Sequence, residues 1–142
     1  MTATAYIVDD DAGFRESLIW LINSADIHCE DYDSAESFLA GYKGGSGCLL
    51  LDIRMGGMSG LDLQKQLTNQ GVKLPVIILT GHGDVPLTVT AMKNGAVDFI
   101  EKPFPSDMLV DAVRRAMEKR RLVLENRRLR AELDGGSHLN KK

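Results

Sequence analysis

Apolar residues in this chain fall in short blocks whose spacing alternates between strand and helix. Tyr6-Ile7-Val8 is an unbroken apolar run that stops at Asp9-Asp10-Asp11, and Phe14, Leu18, Leu21 and Ile22 then recur on one face of a helix. Asp11 is placed to cap that helix. Residues 27–32 read as a second strand, and Ser34 stands where it would cap a helix carrying Ala35, Phe38 and Leu39. The glycine-rich stretch 41–47 ends that helix, and Cys48-Leu49-Leu50-Leu51 forms a third strand ending at Asp52. After the loop Gly56-Gly57-Met58-Ser59-Gly60, Leu61, Leu63 and Leu67 begin another helix. Val76–Leu79 is a fourth strand, ending at Thr80. Asp84 is placed to cap the helix that follows, with Pro86 in its first turn and Gly95 past its end. A fifth strand, 97–100, leads into Glu101-Lys102-Pro103-Phe104-Pro105 and a last helix in which Met108, Leu109, Val113 and Met117 face the core.

Five strands thus alternate with five helices. Strands without polar alternation, such as Cys48–Leu51 and Val76–Leu79, are those covered on both faces of a parallel sheet. Right-handed crossovers between them give a doubly wound α/β domain. Ligands of such sheets bind outside the carboxyl ends of the strands, so the residues there decide the chemistry.

Composition changes this picture little: 142 residues, 44% hydrophobic and 26% charged, suit one globular domain and exclude wholesale disorder. Charge is more informative when divided. Residues 1–105 hold 7 basic and 14 acidic side chains, residues 106–142 hold 10 and 6, so an acidic body that repels nucleic acid carries a basic tail. Cys29 and Cys48 form neither a CxxC pair nor a disulfide framework, and His28 beside Cys29 is too little to bind a metal. No apolar run approaches membrane-spanning length, and a cytoplasmic, reduced protein is expected.

At the strand ends stand Asp9-Asp10-Asp11, Asp52, Thr80 and Lys102. Crowded carboxylates ionise together only with a cation nearby. Hard oxygen ligands in an open site suit magnesium, and an aspartate is an established acceptor of phosphoryl groups. A mononucleotide site would instead place glycine or hydroxyl side chains in the turn after the first strand, where this chain has three acids.

Four segments in order carry a resemblance: Ile7-Val8-Asp9-Asp10-Asp11; Leu51-Asp52-Ile53-Arg54-Met55 with Met58-Ser59-Gly60; Thr80-Gly81-His82-Gly83-Asp84; and Gly95-Ala96-Val97-Asp98-Phe99-Ile100-Glu101-Lys102-Pro103-Phe104. Over about residues 3–120 the chain resembles the receiver domain of bacterial two-component response regulators, the CheY-like superfamily, and in particular the nitrogen-fixation and dicarboxylate-transport regulators. The resemblance implies a flavodoxin-like strand order 2-1-3-4-5 and a phosphorylation switch controlling an output, transcription by preference. It implies Asp52 as phosphoacceptor for a sensor histidine kinase, with self-catalysed phosphotransfer and autodephosphorylation. Mg2+ would be held by Asp10, Asp52 and the main-chain carbonyl of Arg54, with Asp9 acting through water. Lys102 would bridge to the phosphoryl group and its bond to Pro103 would be cis, Thr80 would turn its hydroxyl onto the phosphoryl group, and Phe99 would swing inward behind Thr80. Phe99 equally suits a static core position, and Thr80 a strand-end residue bonding its own loop; His82 is given no role. One departure from the family pattern is Gly56, where proline is usual, and a looser loop is expected.

Two other functions fit parts of this pattern. An Asp-nucleophile phosphohydrolase often has an acid two residues past the nucleophile, a position held here by Arg54. A structural dimerisation module would not need the acid cluster.

In the tail, Leu122, Asn126, Leu129 and Leu133 recur at spacings of four, three and four, a coiled-coil seam with a polar position that sets register. Glu118, Glu125 and Glu132 among the arginines also suit a solvated, ion-paired helix, and a DNA-reading basic helix is a third reading of the same segment. The expected organisation is a receiver over 1–120, a helical linker over 121–134 and a flexible tail over 135–142. The expected assembly is a homodimer with no membrane partner, touching DNA only through an output module outside this sequence.

Overall fold

Three strands made almost wholly of apolar residues hold the centre of the molecule. The computed structural model describes residues 3–81 and 83–118. β1 (Thr4–Val8), β2 (His28–Tyr32), β3 (Gly47–Asp52), β4 (Val76–Thr80) and β5 (Asp98–Glu101) form one parallel sheet in the order β2-β1-β3-β4-β5, the order that the family resemblance implies. Between them run α1 (Ala12–Ser24), α2 (Ala35–Gly41), α3 (Gly60–Asn69) and α4 (Val85–Lys93); a fifth helix, α5, occupies 106–118, up to the last described residue.

Because side chains alternate along a strand, the sheet feeds two separate apolar layers. Ala5, Ile7, Cys48, Leu50, Ile77 and Leu79 pack with Leu18 and Ile22 of α1 and with Leu109, Ala112 and Val113 of α5. Tyr6, Val8, Leu49, Leu51, Val76 and Ile78 pack with Phe38 of α2, Leu63 and Leu67 of α3 and Ala91 of α4. Each fully buried leucine or isoleucine contributes about 1.5–3 kcal/mol, so both layers resist any slip of register. β2 lies at the sheet edge, which is why His28, Glu30 and Asp31 are tolerated there as exposed residues.

Helix starts follow local chemistry with one exception. Asp11 caps α1 through the Phe14 N–H at 3.1 Å, and Ser34 and Ser59 each form reciprocal capping boxes, with Ser37 and Asp62. Asp84 occupies the cap position of α4, yet its side chain makes no capping bond. Its carboxylate instead accepts from the Gly81 N–H and from the Arg54 side chain, because a nearby guanidinium outbids a helix amide. A second expectation also fails: Met108 is 49% exposed, and Ala112 and Ala116 complete the buried face of α5 in its place. At 100° per residue, Met108 lies about 90° round the helix from the centre of the face made by Leu109, Ala112, Val113 and Ala116.

Gly60, the first residue of α3, touches the end of β3: a Cβ there would collide with the Asp52 carbonyl oxygen and come within 2.9 Å of the Ile53 Cα. Gly60→Ala is therefore expected to cost about 1–3 kcal/mol, read as a lower urea midpoint with unchanged slope. A midpoint equal to the wild type's would show that α3 is free to shift away.

Among the described residues no helix is long and apolar enough to cross a membrane. The receiver boundary at 120, the linker 121–134 with its seam Leu122, Asn126, Leu129 and Leu133, and the tail 135–142 lie outside the described residues.

Candidate functional site

The sheet register sets the site. Val8 pairs with Leu51, so Asp9 and Asp52, each one residue further on, emerge side by side. Thr80 ends β4 opposite Glu101, and the Lys102 N–H donates to the Thr80 carbonyl at 2.8 Å, which carries the lysine to the same rim. The Lys102–Pro103 bond is cis. Three of the four loops leave fully buried strands, β1, β3 and β4, so the acids and Thr80 sit on a rigid base, while Lys102 follows the edge strand β5, in which only Ile100 is buried.

Asp9 is completely buried; its Oδ2 receives the Lys102 ammonium at 3.0 Å and its Oδ1 the Asp11 N–H at 2.9 Å. The same ammonium stands 3.8 Å from Asp52 Oδ1 and 4.1 Å from the centre of the Phe14 ring. Phe14, one of the apolar residues of α1, thus forms one wall around the lysine, a contact worth more where the cation is desolvated. Asp52 is buried and accepts the Arg54 N–H at 3.3 Å. Burial, and then the charge of Asp9, push its carboxyl up to about 6; Lys102 and the Arg54 N–H pull the other way without cancelling them. Asp10 is exposed at the mouth, where Oδ2 accepts the Gly56 N–H at 3.3 Å. A proline at this position has no such hydrogen to give. Gly56, expected only to loosen the loop, therefore ties it to Asp10.

One carboxylate oxygen from each of Asp9, Asp10 and Asp52 lies within 4.8 Å of the others. Three carboxylates with one ammonium leave a net negative pocket, and an all-oxygen donor set open on one side fits a hard divalent cation.

The remaining expected residues sit at its edges. The Arg54 side chain leaves the pocket and pairs with Asp84, whose carboxyl the guanidinium holds below the usual carboxylate range. Thr80 is 4% exposed, and its hydroxyl faces α4 and not the acids: Oγ1 lies 2.9 Å from Thr88 Oγ1 and 3.4 Å from the Gly81 carbonyl. Phe99 is 48% exposed, so the static core position is not the one it takes. It lines a mostly apolar groove of about 430 Å³ between α4 and β5, together with Thr80, Val85, Val89 and Met92. His82 lies outside the described residues. The sequence marks Phe14 only as an apolar residue of α1 and gives Thr88 no role, for both sit at ordinary helix positions.

Comparison with known proteins agrees with this arrangement. The model of the response regulator receiver domain family matches residues 5–114. The C4-dicarboxylate transport transcriptional regulatory protein DctD of Pseudomonas aeruginosa is 51% identical over 128 residues, 89% of this chain and 28% of that protein. The transcriptional regulatory protein FixJ of Bradyrhizobium diazoefficiens is 46% identical over 115 residues, 80% of this chain and 56% of that protein. The chain therefore spans between about a quarter and a little over half of these relatives. Among solved structures, the response regulator StyR superposes with a TM-score of 0.85 at 39% identity, covering 95% of this chain and 69% of that one. The amino-terminal part of FixJ gives 0.75 at 40% identity, covering 83% and 95%. The strand order, the acid pocket with its lysine, and a family match over residues 5–114 converge: this chain belongs to the response regulator receiver domain family, the phosphoryl-accepting regulatory module of two-component systems.

Proposed function

We propose that this chain is a phosphorylation-operated switch in which Asp52 receives a phosphoryl group from a phosphohistidine on a sensor kinase and passes the change to an output that controls transcription. The observation that carries the reading is the clustering of Asp9, Asp10 and Asp52 around one lysine at the end of a rigid sheet. A carboxylate oxygen of Asp52 attacks phosphorus, the bond from phosphorus to the donor's imidazole nitrogen breaks, and the imidazole leaves with a proton from solvent. Burial raises the basicity of Asp52 and so favours it as the attacking group. Lys102 lies within reach of both Asp9 and Asp52 and faces the negative charge that gathers on the transferred group. Asp10, Asp52 and the Arg54 carbonyl would hold Mg2+, with Asp9 acting through water; when bound, the ion offsets the charge of the phosphoryl oxygens.

The phosphoryl group adds about −1.5 to −2 charges beside Thr80. Thr80 turns its hydroxyl toward that charge, and Phe99 moves from the groove rim into the space it leaves. The same pocket supports autodephosphorylation by water. A dedicated phosphohydrolase is disfavoured by Arg54, which has no proton-donating carboxyl to offer a leaving alkoxide. The switch acts in the cytoplasm, with a homodimer and a DNA-binding output as its further partners.

Acetyl phosphate with Mg2+ tests the reading. Intact-mass spectrometry should show one alkali-labile phosphoryl adduct that borohydride trapping assigns to Asp52, and chelation of the metal should prevent it. An adduct on another residue, or one formed equally well in EDTA, would displace the reading.

A further inference from the structure

Thr88 is buried in the second turn of α4, 7% exposed, and its hydroxyl lies between two oxygens: the Asp84 carbonyl of its own helix at 2.9 Å and the Thr80 hydroxyl at 2.9 Å. A carbonyl only accepts, so the one arrangement that gives both short contacts a proton has Thr88 donating to the Asp84 carbonyl, which also takes the Thr88 N–H. Toward Thr80, Thr88 is then an acceptor, and the single proton of Thr80 points at α4. The Gly81 carbonyl, at 3.4 Å, is its poorer alternative.

We propose that the Thr88 hydroxyl is a latch: by accepting the only hydroxyl proton of Thr80 it holds that residue on α4, away from the acid pocket, and so sets how much of the protein occupies the signalling conformation. The inference rests on the phosphorylation switch proposed above. Thr80 donates its proton either to Thr88 or to a phosphoryl oxygen on Asp52, never to both. Both threonines are buried, so water is poorly placed to replace the bond that is given up. Thr88 also follows Val85 and precedes Val89 on the helix that walls the Phe99 groove, so releasing Thr80 frees the first turns of α4 on the side where Phe99 moves. Thr88 touches no reacting atom; it is a positioning residue.

The latch is tested by Thr88→Val, nearly the same shape without the hydroxyl, and Thr88→Ser, which keeps it, with beryllofluoride plus Mg2+ as the phosphoryl mimic. Two quantities are read: the apparent Kd for beryllofluoride, and the NMR position of the Thr80 methyl group in unliganded protein relative to the bound form. Losing one net hydrogen bond should tighten beryllofluoride binding by roughly 2- to 10-fold in Thr88→Val. It should also move the unliganded Thr80 resonance toward its bound position, while Thr88→Ser keeps wild-type values. If valine at 88 fails to fold, Thr88→Ala carries the same comparison. Equal shifts in the valine and serine variants would assign the effect to packing and overturn the latch, as would wild-type values in a folded Thr88→Val. Wild-type protein that takes no beryllofluoride on Asp52 would instead overturn the switch itself.

Discussion

Lys102→Ala should lose roughly 3–5 kcal/mol of folding stability at neutral pH, because it leaves the carboxylate of Asp9 buried without its counter-ion. Asp9 is 0% exposed and the ion pair measures 3.0 Å, so the ammonium is the counter-charge that offsets the burial of this carboxylate. Loss of the ammonium's contact with the Phe14 ring adds to this. Asp9→Asn in the same protein should restore most of the deficit, and urea unfolding of the wild type, both single variants and the double variant measures the coupling. Phosphoryl incorporation from acetyl phosphate should also fall, by roughly 100-fold, since the group facing the transferred charge is gone. A coupling energy near zero would mean that Lys102 serves Asp52 alone.

Asp52→Asn should abolish phosphoryl incorporation and, in metal-free buffer, make the protein more stable. In the folded protein this carboxyl titrates near 6 against an ordinary 3.8, so between those values the folded chain keeps a proton that the unfolded chain has lost. The stabilising contribution is complete below about pH 4 and disappears as pH rises through about 6, a loss of about 2–3 kcal/mol. An asparagine has no such dependence. The variant's advantage in urea midpoint, measured in EDTA, should therefore be near zero at pH 4 and reach its full value by pH 7. A constant advantage across that range would place the strain elsewhere than in the buried charge.

Much of this site was legible in the residue order for a definite reason. A strand covered on both faces must be apolar throughout, so Tyr6–Val8, Cys48–Leu51 and Val76–Leu79 announce where the sheet ends, and Asp9, Asp52 and Thr80 stand at those ends by contrast. Lys102 lies one residue beyond β5, an edge strand with charged residues at both ends, so it was marked by following the last apolar block, 97–100, and not by a strand apolar throughout. What stayed hidden depends on pairs distant in sequence. Asp84 has the ideal identity for a helix cap, yet Arg54, thirty residues earlier, claims its side chain. Thr88 reads as one more residue of an amphipathic helix until α4 is laid against β4 and its hydroxyl meets Thr80. Gly56 looks like a loss of stiffness, and only the fold shows its N–H reaching Asp10, forty-six residues away. The direction of Phe99 depended on how α4 and β5 share the sheet edge, which periodicity along one strand does not encode.

Every group in the acid pocket lies at one end of the parallel sheet, while the segments entering the strands from the opposite end, such as 42–46, 70–75 and 94–97, contribute nothing to it. The two ends are therefore free to change at different rates. A residue added beside Gly71, where the backbone turns through positive φ with open space around it, lengthens a connection that the chemistry never sees. A residue added between Asp52 and Gly60 would instead disturb the Arg54 and Gly56 N–H groups that hold two of the three acids. In a lineage of such proteins, variation in length should accumulate at the amino edge of the sheet, and a graft meant to rewire the switch without silencing it belongs there.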